Sequence, residues 1–67
     1  MGFGTNPYVA KAQAAEQKAN ATDEEATRVR HWREAAHEWD RAAAREQPGK
    51  RRVEYEANAT LARSYCE

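Results

Sequence analysis

Apolar and small residues recur along this chain with a helical period, and breakers divide them into three runs. Asn6-Pro7 opens the first: Asn is a favoured N-cap, and Pro suits the first helical turn, where its missing N–H costs nothing. Tyr8, Ala12, Ala15 and Ala19 then share one stripe at spacings of 4, 3 and 4, which predicts a helix over about 7–19. Thr22-Asp23-Glu24-Glu25 reads as a capping box, S/T-x-x-E, with acids placed to complement a positive helix N-terminus. From there to Gln47 no Gly or Pro intervenes. Val29, Trp32, Ala36, Trp39 and Ala43 recur at 3, 4, 3 and 4, a heptad seam, and predict a long helix over about 23–47. The first stripe continues in phase through Thr22, Ala26 and Val29, so one unbroken helix also fits. The capping box and Asn20 favour a break near residues 20–22.

Gln47-Pro48-Gly49-Lys50 is a turn, in which Pro stops the helix and Gly is expected to supply unusual backbone angles. The last helix is predicted over about 50–65, with Val53, Ala57, Leu61 and Tyr65 as its inward stripe, and the short turn makes it antiparallel to its predecessor. Residues 1–5, rich in Gly, are expected to form a flexible tail, and 6–67 a single helical domain. The predicted fold is therefore all-α: a short first helix, a long central one and a third folded back, a helical hairpin or small bundle.

Composition changes the picture in one respect. The chain has 67 residues, and fifteen are alanine, whereas only eleven are large apolar or aromatic residues and none is Ile. A core built mainly of Ala buries little area, and a chain this short is marginal to begin with. The expected remedy is a homo-oligomer or a protein partner. The counts exclude a dinucleotide-binding domain, a barrel and a membrane span of about 20 apolar residues. Eleven Lys and Arg balance eleven Asp and Glu, and this zero net charge argues against a dedicated nucleic-acid binder. One cysteine, Cys66, excludes an internal disulfide and reads as a free thiol in a reducing cytosol. The first residues lack the basic and apolar stretches of a signal peptide, so a cytoplasmic location is expected. Abundant Ala, and eight Arg against three Lys, suggest a small bacterial protein.

Three constellations could carry chemistry. Trp32 and Trp39 lie within about 20° of each other on a helical wheel. With Val29, Ala36 and Ala43, and with Leu61 and Tyr65 from the last helix, they are expected to form the core or interaction seam. The remaining apolar inventory looks too small to cover two indoles, so both are expected to be buried at least partly between chains. Glu34-x-x-His37 has the spacing used by di-iron bundles, but the wheel turns His31 and His37 toward water; no metal and no cofactor are expected. A metal-binding helical oligomer is the third alternative. Lys50, Arg51 and Arg52, with Arg41 and Arg45, form a basic patch at the turn. Arg45, Lys50, Arg51 and Arg52 are the candidate phosphate contacts of the runner-up reading, a small nucleic-acid-associated regulator. The competing view is that the triplet complements the negative end of the long helix, amid Glu38, Asp40, Glu46, Glu54 and Glu56. No Gly-rich phosphate loop and no Ser-His-Asp set is present, and so small a chain walls no pocket, so neither an enzyme nor a small-molecule binder is expected.

The phrase Trp32-x-x-Ala35-Ala36-x-x-Trp39 resembles the first helix of a tetratricopeptide repeat, W-x2-L-G-x2-Y, with Ala36 at the small position and Ala35 in place of Leu. Ala57-x3-Leu61-x2-Ser64 resembles its second helix, across a longer loop and in a single unit. The last helix, with Glu54-Tyr55 and Ala59, is also similar to the end of a three-helix MIT domain. These resemblances imply a helical hairpin with an interaction role. The expected function is a non-catalytic protein–protein interaction or assembly module that associates with itself through its Ala/Trp seam.

Overall fold

A computed structural model describes residues 5–66. Three helices follow one another: α1, Pro7–Ala21; α2, Glu25–Arg45; α3, Lys50–Ser64. The all-α, three-helix fold is thus the one the periodicity demands. The first four residues of the expected tail, and Glu67, lie outside the described residues, and Thr5 is exposed.

Each boundary has a local cause. Asn6 caps α1 from an extended backbone (φ −100°, ψ 108°), its side-chain oxygen accepting the Tyr8 N–H at 3.1 Å. Pro7 follows at the first helical position. The break between α1 and α2 falls at residues 22–24, where Thr22 and Glu24 are both extended. The expected capping box does not form there. The Thr22 hydroxyl accepts the Glu24 N–H at 3.2 Å, two residues on, and α2 starts at Glu25 without a side-chain cap. A Thr placed three residues before the first helical turn closes a local turn sooner than it can reach that turn.

The second turn also departs from expectation. Gly49 is extended (φ 162°, ψ −170°), and an added Cβ would meet only the Gln47 carbonyl oxygen, at 3.9 Å. Pro48, which cannot continue a helix, is the residue that accounts for the stop.

α2 occupies the middle, with α1 on one side and α3 on the other. No Cα of α1 comes within 8 Å of one in α3. The Cα trace spans 37 × 24 × 13 Å, so the helices form an open, flattened layer and not a closed triangular bundle. Ten apolar residues are buried: Trp39 and nine alanines, at 12, 15, 19, 35, 36, 42, 43, 59 and 62. Methyl groups at these positions let backbones approach closely, and they bury little area while doing so.

The stripe predicted for α1 holds, with Ala12, Ala15 and Ala19 buried and Tyr8 half-buried. That predicted for α3 does not. Ala59 and Ala62 are buried and Tyr55 and Cys66 half-buried, whereas Val53, Ala57, Leu61 and Tyr65 are exposed. The reason is geometric. A strict i, i+4 series drifts about 40° per step on a helix of 3.6 residues per turn, or about 120° from Val53 to Tyr65. Tyr55, Ala59, Ala62 and Cys66 alternate 4, 3 and 4 and stay on one side. Among the described residues no helix is long and apolar enough to cross a membrane.

Candidate functional site

The Ala/Trp seam is a scaffold within one chain. Trp39 is 4% exposed. Its Nε1–H donates to Glu16 Oε2 at 2.7 Å across the α1–α2 contact, and its ring lies 5.6 Å from that of Tyr55 on α3, tilted 30°. One indole therefore touches both flanking helices, and its polar edge has a partner, as a buried indole requires. The expectation that Trp39 needs a second chain for burial is corrected: the predicted stripes left out Glu16 and Tyr55, which cover it from the two flanking helices. Ala36 and Ala43 are buried, and Val29 and Trp32 half-buried. Trp32 is shielded by Tyr65, whose ring centroid lies 4.6 Å away.

Asn6 ties the far end of the α1–α2 contact. Beyond capping α1, its amide donates to the Ala42 carbonyl and to Glu46 Oε2, each at 3.0 Å. Ala42 is in the last turn of α2, where carbonyls lack helical partners. The side chain is 6% exposed and satisfies two helix ends at once. Sequence alone identified its capping role; nothing in the pattern marked the second.

What the scaffold leaves uncovered lies on α3. Val53, Leu61 and Tyr65 are 63, 55 and 52% exposed. Leu61, assigned to the core seam by spacing, stands outside it because the row winds around the outer side of α3, whereas Tyr65, at the end of the row, comes back far enough to lay its ring on Trp32 while staying half exposed. With exposed Ala57 they form one continuous i, i+4 ridge. The row beside it, Thr60 and Ser64, turns its hydroxyls inward: Thr60 Oγ1 donates to the Glu56 carbonyl at 3.1 Å and Ser64 Oγ to that of Leu61 at 2.6 Å. The outer side of α2 is different, carrying exposed Arg30, Arg33, Glu34, His37, Arg41 and Arg45.

The basic triplet is not where dipole matching would put it. Lys50, Arg51 and Arg52 form the first turn of α3, a positive helix end, and that turn holds no acid. Arg52 pairs with Glu56 at 3.3 Å, while Lys50 and Arg51 have no ion-pair partner among the described residues. Arg45 does sit in the last turn of α2, where a cation is favoured. Arg41 is drawn away from the patch, its guanidinium 4.9 Å from the Tyr8 ring centroid. Lys50→Glu with Arg51→Glu is therefore expected to raise the stability of the folded single chain, by a few tenths of a kcal/mol per residue. A thermal melt followed by circular dichroism at low protein concentration checks the sign.

The remaining candidates are dispersed. Glu34 and His37 are exposed. His31, expected in water, is half-buried: its Nδ1 lies 3.6 Å from Glu34 Oε1 and, like Glu38 Oε1, is enclosed without a hydrogen-bond partner. No group of three His, Cys, Asp or Glu residues converges among the described residues, and no cavity opens there. Cys66 is a free thiol whose Sγ lies 3.3 Å from the Arg63 carbonyl. Asp40 and Arg63 pair at 2.8 Å between α2 and α3; both are exposed, so the pair is worth at most about 1 kcal/mol.

Compared with known proteins, the chain matches no family model, no curated protein and no solved structure.

Proposed function

We propose that this chain is a non-catalytic assembly module that binds protein through the exposed ridge of α3, with the Ala/Trp seam as the scaffold behind it. The observation that carries this reading is an inversion: alanines fill the interior while Val53, Leu61 and Tyr65 stay outside on a single helix. A chain short of apolar side chains gains most by burying the large ones, and soluble proteins seldom leave contiguous apolar surface without a partner. The tetratricopeptide-like phrase of α2 is in keeping with an interaction role. A single free cysteine suits a reducing compartment such as the cytoplasm.

The test is cross-linking of the intact protein in its own cells, with adducts mapped by mass spectrometry. Adducts are expected on α3 peptides, and Val53→Lys with Leu61→Lys should abolish them at unchanged helicity. Adducts that persist in that variant, or that map elsewhere, would sink the reading.

A second reading, nucleic-acid association, draws on Lys50 and Arg51 at the N-terminus of α3, where cations and the helix dipole attract phosphate together. Zero net charge weighs against it. Its signature would be an affinity for duplex or single strands that falls steeply with salt.

A further inference from the structure

We propose that the occupant of the α3 ridge is a second copy of this chain, docked antiparallel, α3 against α3, across a two-fold axis. This rests on the assembly reading above and adds the partner and its orientation.

The ridge has the form such a contact needs. Rows at i±4 on one helix fit between i±4 rows of another at about −50°, the commonest class of helix crossing. Val53, Ala57, Leu61 and Tyr65 are such a row, and Ala57 near its middle lets the backbones approach. A two-fold contact must be complementary to itself, residue i meeting j while j meets i. Run antiparallel, this row sets Ala57 against the partner's Leu61, and Val53 toward the partner's Tyr65, small against large. The hydroxyls of Thr60 and Ser64 are bonded to carbonyls of their own helix, and exposed Glu54 and Glu56 on the two flanks form a charged rim around the ridge.

Charge selects the orientation independently. Lys50 and Arg51 stand on the positive end of their own helix without a paired acid among the described residues, an unfavourable placement in a single chain. In the antiparallel pair that end lies beside the C-terminal turn of the other α3, where helix carbonyls present negative charge and the cation of that turn, Arg63, is already paired with Asp40. A parallel pair would instead stack Lys50, Arg51 and Arg52 on their own copies. One occupant thus accounts for two separate anomalies of α3, its uncovered ridge and its misplaced cations. A contact of two helices is smaller than the roughly 800 Å² per partner of a standard stable interface. The dimer is accordingly a concentration-dependent one.

Sedimentation of the purified full chain from low micromolar to millimolar concentration should show a reversible monomer–dimer equilibrium. Leu61→Glu should remain monomeric with wild-type helicity. Lys50→Glu with Arg51→Glu should weaken the dimer about tenfold while raising the melting temperature of dilute monomer, opposite signs that a merely structural role would not give. For orientation, Cys66→Ser with Ala57→Cys should oxidise to a linked dimer, whereas Cys66→Ser with Val53→Cys should not. A chain that stays monomeric throughout overturns the proposal, and a different protein bound at α3 in cells would then hold the ridge. Association that survives Leu61→Glu, or linkage as ready at Val53 as at Ala57, overturns it as well. If cellular adducts still map to α3, the assembly reading outlives either result.

Discussion

Trp39→Ala should leave little folded protein at room temperature. The indole is 4% exposed and is the one large side chain in a buried set otherwise made of alanine. Large aromatic to Ala substitutions in cores cost about 3–5 kcal/mol, because the hole adds to the lost transfer energy. Apart from Glu16 and Tyr55, the buried cluster around it consists of alanine methyl groups on closely packed helices, which have no spare length with which to fill the hole. A single core of this size seldom supplies more than about 3–5 kcal/mol in total. Urea denaturation followed by helical ellipticity measures the loss. Trp39→Phe separates the contributions: the ring contact with Tyr55 survives, while the bond from Nε1 to Glu16 is lost, so about 1–2 kcal/mol should go. A Trp39→Ala chain that unfolded at the wild-type midpoint would show that the seam does not hold the layer together.

Asn6→Ala carries the next largest expected effect, about 2–3 kcal/mol. Loss of an N-cap side chain typically costs about 1 kcal/mol. The substitution also strips the Ala42 carbonyl and Glu46 of their donor, and an enclosed carbonyl left unpaired costs about 1–3 kcal/mol. Asn6→Asp distinguishes the two roles. Aspartate caps a helix as well as asparagine does, but it has no amide to donate and would bring a charge against Glu46 and the Ala42 oxygen. If capping alone matters, Asn6→Asp melts like wild type; if the tie to α2 matters, it melts as low as Asn6→Ala or lower.

The contrast between α1 and α3 shows which information the sequence holds. Helix existence was legible at all three places, because Pro7 and Pro48 punctuate the chain and nothing breaks the run from Glu25 to Arg45. The inward face was legible where alternating 3 and 4 spacings involve one residue type, as for Ala12, Ala15 and Ala19. It was misread on α3, where two candidate rows compete. One holds Val, Leu and Tyr; the other holds Tyr, Ala, Ala and Cys. Hydrophobicity favours the first, period favours the second, and the close packing set by the alanines of α2 admits the second. Trp39 illustrates a different limit. Its helical position was clear, but its partners Glu16 and Tyr55 come from the two other helices, and a wheel drawn for one helix cannot register them. The cations at 50–52 were placed in the last helix, but their role was misread: they stand on the positive first turn of that helix, and the end of α2 that they were expected to complement holds Arg45 instead.

That α1 and α3 both pack on α2, with no Cα of one within 8 Å of one in the other, has a consequence for how the chain reaches this state. Each tertiary contact joins helices adjacent in sequence, closed over turns of a few residues, so the loop entropy to be overcome is small. Local topologies of this kind fold in microseconds to milliseconds. Either hairpin can form first, since neither requires the other as a template. The central helix is the shared half of both, and an assembly that draws on α3 would find its docking surface ready as soon as that helix had met α2, before α1 had closed.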